Sequence, residues 1–158
     1  MLGKKTTVTF DQAGSGLLKL TSSFVVSGYG ANKTITLKGD TQGRGELAGA
    51  ITNPHDRAGK AVTAVTKSGT GTWTLSGINT YTGPTTVSQG ALVIAQPSSL
   101  SSNTEVSIAS GATLALNFKG HANIRKLALD GKLQPPGVYT EKSSPSFIKG
   151  TGGLNVQP

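Results

Sequence analysis

The chain has no cysteine among its 158 residues, one methionine and one tryptophan. A disulfide scaffold and thiolate chemistry are therefore excluded, and a fold of 158 residues has to hold itself together by packing alone. Acidic residues are scarce, seven against fifteen Lys and Arg. The acids Asp11, Asp40, Glu46, Asp56, Glu105, Asp130 and Glu141 are isolated, with no two sharing a strand at i, i+2, so the sequence offers no paired carboxylates for acid–base work. With two histidines, His55 and His121, far apart, no metal-ligand set is expected either. Strong helix formers are few, and no apolar run reaches the roughly 18 residues of a membrane span. The N-terminal "MLGKKTTVTF" has no apolar core of a signal peptide, and the expectation is a fragment of a larger protein.

What the sequence does have is glycine, 22 residues, together with many threonines and serines. Short stretches alternate apolar and polar residues between glycines: "TTVTF" at 6–10, "LLKL" at 17–20, "KTITL" at 33–37, "TWTL" at 72–75, "TTVS" at 85–88, "ALVI" at 91–94, "TEVSI" at 104–108 and "ATLAL" at 112–116. A period of two predicts strands throughout. "HANIRKLALDGK" also reads as strand, entering a turn at Asp130-Gly131.

The stretches recur at a nearly fixed interval. Gly71, Gly90 and Gly111 open similar segments 19 and 21 residues apart, and Gly131 and Gly152 continue the series at 20 and 21. A unit of about 20 residues is the length of one rung of a β-solenoid. Stacked rungs put equivalent side chains above one another, so Trp73, Leu75, Val87, Leu92, Ile94, Val106, Ile108, Leu114 and Leu116 are expected to form the core. Gly71, Gly77, Gly83, Gly90 and Gly111 are expected at corners, where φ is positive or a Cβ has no room. Threonine and serine are expected outside.

The segment "TKSGTGTWTLSGINTYTGPTTVSQGALVIAQ" (66–96) resembles the autotransporter-associated β-strand repeat of bacterial passenger domains and other large secreted surface proteins. "SNTEVSIASGATLAL" resembles a following coil, and "IRKLALDGKLQPPGVYTEKSSPSFIKGTGGLNV" resembles the segment that ends such arrays. The resemblance implies a right-handed parallel β-helix and an extracellular or cell-surface location. It implies a non-enzymatic rigid stalk or adhesin-type passenger segment with no catalytic residue and no cofactor. The expected organisation is one domain: less regular coils over 1–66 with a loop insert near 52–64, regular coils over 67–130, and a capping segment over 131–158.

A net charge of +8 raises the alternative of a module that binds carbohydrate or another polyanion. The ligand candidates for that alternative are Tyr29, His55, Arg57 and Tyr81; sugar rings stack on aromatic faces, and His55-Asp56-Arg57 brings base, acid and anion clamp together. No basic residue lies between Lys67 and Lys119, so the charge forms no phosphate track, specific nucleic-acid binding is not expected, and the lysines read as a solubilising surface. Expected partners are neighbouring passenger repeats or a second copy of the chain, or a surface glycan; membrane insertion by this fragment is not expected.

Overall fold

A computed structural model describes residues 7–23, 31–55 and 59–158. Among the described residues the regular structure is sixteen strands and a single turn of 3₁₀-helix at Pro97–Ser99. The strands are laid out as a β-solenoid. A seven-stranded sheet runs β1 (Thr7–Asp11), β3 (Lys33–Lys38), β5 (Thr63–Lys67), β7 (Thr85–Val87), β9 (Glu105–Ile108), β12 (Lys126–Leu129) and β13 (Lys132–Leu133). A six-stranded sheet runs β2 (Leu17–Leu20), β4 (Arg44–Leu47), β6 (Thr72–Leu75), β8 (Ala91–Ile94), β10 (Thr113–Leu116) and β15 (Ile148–Lys149). Up to β10, odd strands lie in the first sheet and even strands in the second, so each of these rungs gives one strand to each, and neighbours within a sheet are parallel up to β12 in the first and throughout the second.

Register converts the alternating sequence into continuous columns. In the first sheet the inward positions stack as Val8, Ile35, Val65, Thr85, Val106, Leu127 and as Phe10, Leu37, Lys67, Val87, Ile108, Leu129. In the second they stack as Leu18, Gly45, Trp73, Leu92, Leu114, Ile148 and as Leu20, Leu47, Leu75, Ile94, Leu116. The nine core positions named from sequence are all buried, none more than 1% exposed. The facing columns meet to make one hydrophobic core, with Phe10 6.3 Å from the Trp73 ring across it. On the outer surface of the first sheet, Thr9, Thr36, Thr66, Thr86 and Ser107 form a rank of hydroxyls, one per rung.

The rung length is not uniform. Paired residues are 27 positions apart between β1 and β3 (Thr7 and Thr34) and 30 between β3 and β5 (Lys33 and Thr63), then 20 (Val65 and Thr85) and 21 (Thr85 and Val106; Glu105 and Lys126). Strand spacing in a sheet is fixed by hydrogen bonding, so the early rungs carry more residues between their strands without changing the register. In the first sheet a period of 20 to 21 residues therefore holds from β5 to β12. Residues 63 and 64, read from sequence as part of the loop insert, open β5 instead.

Corners use glycine in two ways. Gly90 and Gly111 have φ of 67° and 77°, the left-handed region that a side chain disfavours. Gly71, Gly77 and Gly83 need glycine for space: a Cβ there would collide with backbone of the preceding rung, at Gly39, Gly49 and Thr63.

The C-terminal end changes pairing. Asp130 and Gly131, with φ of 49° and 73°, turn β12 back on itself so that β13 pairs antiparallel with it. A third sheet, β11 (His121–Ile124), β16 (Gly153–Val156) and β14 (Gly137–Thr140), ends in an antiparallel β14. The terminal strands β13 and β15 have two residues each, too short to template a further rung.

Candidate functional site

Among the described residues, a network of buried polar side chains lies at the stacked corners and returns of the rungs within residues 51–55 and 59–104. Asn79 lies in the return after β6 and is only 5% exposed. Its Oδ1 accepts from the Ile51 amide at 2.8 Å and its Nδ2 donates to the Ser99 carbonyl at 2.8 Å. One side chain thus joins the rung below and the rung above. Asn53 acts similarly at its own level: Oδ1 accepts from the amides of Thr63 (2.9 Å) and Thr82 (3.0 Å), and Nδ2 donates to Thr82 Oγ1 at 2.8 Å. Ser99, fully buried, donates to the Gly77 carbonyl at 2.8 Å.

Beside these asparagines runs an internal file of hydroxyls. Tyr81 is fully buried, and its hydroxyl lies 2.7 Å from Thr85 Oγ1, which is 3.3 Å from Thr104 Oγ1. Thr104 donates to the Gly83 carbonyl at 2.7 Å, and Thr63 to the Thr52 carbonyl at 2.7 Å. Among the described residues no buried side-chain nitrogen or oxygen lacks a hydrogen-bond partner. Burial without ions pushes the Tyr81 phenol up to about 12, with the Thr85 hydrogen bond opposing.

Three expectations are corrected here. Threonine is not confined to the outside, because Thr63, Thr85 and Thr104 point inward and satisfy one another or the backbone. Tyr81, proposed as a ligand candidate, has no face left for a sugar ring. The lysines are not all solubilising surface: Lys33 and Lys67 are 1% and 0% exposed. Lys67 Nζ donates to the carbonyls of Gly69 (2.6 Å), Ser68 (2.9 Å) and Gln89 (3.2 Å). Desolvation lowers its pKa from 10.5 to about 8, and the Asp40 carboxylate acts in the opposite direction.

The remaining candidates do not converge. His55 is exposed, and Tyr29, Asp56 and Arg57 lie outside the described residues. The carboxylates are drawn into ties along the stack: Glu46 with Lys19 (3.1 Å) and Ser76 (2.6 Å), Glu105 with Arg125 (3.0 Å) and Lys126 (3.2 Å), Glu141 with Lys149 (3.4 Å). The Ser76 hydrogen bond, with Lys19 beside it, holds the Glu46 carboxyl below its ordinary value against the effect of burial. Asp40 accepts from the Thr70 amide at 2.8 Å. Among the described residues, no three His, Asp or Glu side chains gather where a metal ion could bind, and no helix is long and apolar enough to cross a membrane.

A solenoid whose polar side chains fasten rung to rung is the architecture of a repeat module, and the family comparison falls on those same rungs. Residues 65–94, from the middle of β5 to the end of β8, match the model of the passenger-associated-transport-repeat family. A stretch of 86 residues is 38% identical to the adhesin BmaC autotransporter of Brucella suis biovar 1 (strain 1330), covering 53% of this chain and 2% of that adhesin. No solved structure gives a significant match.

Proposed function

We propose that the chain is a non-enzymatic structural segment of a secreted or cell-surface adhesin-type passenger, a rigid spacer built from stacked rungs. The observation that carries this reading is the parallel register of both long sheets from rung to rung, reinforced by side chains such as Asn79 and Ser99 that tie one rung to the next. The adhesin similarity supports a place outside the cell, on a protein of which this chain would be a small part. The glycan-binding alternative has no support in the geometry, since Trp73 and Tyr81 are both fully buried.

The test is accessibility in the full protein. Antibody raised against residues 63–158 should label intact cells that make it, and external protease should remove the label. Labelling that needs permeabilised cells would refute the surface reading. The N-terminal edge is proposed as the place where a further parallel strand pairs, from a neighbouring repeat or a second copy: β1 and β2 have no strand on their outer side among the described residues, and the inward Phe10, Leu18 and Leu20 are only partly buried. Concentration-dependent dimerisation by sedimentation would identify the second copy as a partner, and a strict monomer would leave the neighbouring repeat.

A further inference from the structure

The inward column Phe10, Leu37, Lys67, Val87, Ile108, Leu129 is apolar at every level except one. A lysine in an aliphatic column incurs a desolvation cost, so its position calls for a compensating arrangement. That arrangement is the corner itself. Gly69, with φ of 77°, carries the chain out of β5, and the Ser68 and Gly69 carbonyls both receive the Lys67 ammonium. Gln89, in the corner one rung on, supplies the third carbonyl. Three N–H donors meet three carbonyls, two in one rung and one in the next, and no solvent reaches the side chain.

We propose that Lys67 is an internal cation that clamps the corners of two successive rungs, and that the Gln89 tie is the one released when the ammonium gives its proton to solvent. An ammonium has three donors and an amine two, so one carbonyl must lose its partner. The longest of the three contacts is the inter-rung one, at 3.2 Å. The charged surroundings are simple. Asp40, in the corner after β3, favours the ammonium. Also on β3 are the buried Lys33 and the exposed Lys38; on β4 are the exposed Arg44 and the half-buried Glu46, the latter paired with Lys19. Strands β6, β7 and β8 contain no titratable side chain. Lys67 is thus a positioning residue for the corner, trading stability for a fixed register between rungs.

The experiment follows amide hydrogen exchange at Gly71 and Ala91, whose N–H groups bond the Gly39 and Gly71 carbonyls beside the clamp at 2.8 and 3.3 Å. Lys67→Met keeps the volume and removes the donors. It should raise exchange at both amides by roughly tenfold and leave unchanged the amides of Leu75 and Ile94, at the ends of β6 and β8 away from the clamp. In Lys67→Ala, ethylammonium chloride should restore protection, while ethanol or sodium chloride at matched concentration should not. In the wild type, protection at Ala91, corrected for intrinsic rate, should fall as pH is raised through about 8. This arm needs no variant and decides the matter if Lys67→Ala does not fold. Wild-type protection in Lys67→Met, equal rescue by ethanol, or a flat pH profile at Ala91 would each overturn the proposal.

Discussion

The Tyr81 hydroxyl and Thr85 Oγ1 lie 2.7 Å apart at full burial, and Thr85 Oγ1 also lies 3.3 Å from Thr104 Oγ1. Removing the Thr85 hydroxyl strands that of Tyr81. Thr85→Val is therefore expected to cost about 1–3 kcal/mol, whereas Thr85→Val with Tyr81→Phe, which removes both polar groups, should recover much of the loss. Urea unfolding of the two single variants and the double variant measures the coupling; strictly additive costs would show that the contact contributes nothing.

Gly45 sits opposite Trp73 in the second sheet, and a Cβ there would enter the indole ring. The glycine makes the space that the largest core side chain fills, and Trp73 Nε1 donates to the Lys38 carbonyl at 2.8 Å from that position. Gly45→Ala should destabilise by about 1–3 kcal/mol through overpacking and shift the emission of the single tryptophan. Unchanged stability and emission would mean that the indole has room to move.

Asn79→Ala removes the bridge between the Ile51 amide and the Ser99 carbonyl. The two groups lie in different rungs, so the loss should be felt in both, with a total of about 1–3 kcal/mol and faster exchange at Ile51. The outward Thr86→Ala, on the hydroxyl rank, should change stability by less than about 0.5 kcal/mol. Equal costs for the two changes would contradict the assignment of inner and outer faces.

Stability should vary with pH in two opposed steps. Lys67 has a folded pKa of about 8 against an ordinary 10.5, so between those values the folded chain has already released a proton that the unfolded chain keeps, and stability rises with pH. Tyr81 is raised from 10.0 to about 12, so across that interval the unfolded chain ionises first and stability falls. Chemical denaturation should show a maximum near pH 10; Lys67→Met should remove the rising limb and Tyr81→Phe should soften the falling one.

Much of this was legible from the alternation of side chains. The period of two located Trp73, Leu75, Leu92, Ile94, Val106, Ile108, Leu114 and Leu116 on inward faces, because nothing polar interrupts those strands at the core positions. The same rule, applied without regard to polarity, places Thr85 with Val87 and Lys67 with Val65. Composition argued otherwise: lysine and threonine are usually at the surface, and only the corner carbonyls and the neighbouring hydroxyls, brought close by stacking, make their burial tolerable. The bridging by Asn79 has no local signal, since its partners are 28 and 20 residues away in sequence. The early rungs were unclear because their length varies while their strand spacing does not.

Constant register across rungs of unequal length has a consequence for how such a chain can change over generations. A duplication or loss of one whole 20-residue unit, Val65 to Pro84, returns every inward residue to an inward position and alters only the length of the rod. Material added between strands, where the longer early rungs carry theirs, leaves the columns intact. A single codon gained within a strand inverts that strand's faces and is penalised at once. The coil therefore channels inherited variation into reach and ornament, and keeps it out of the core.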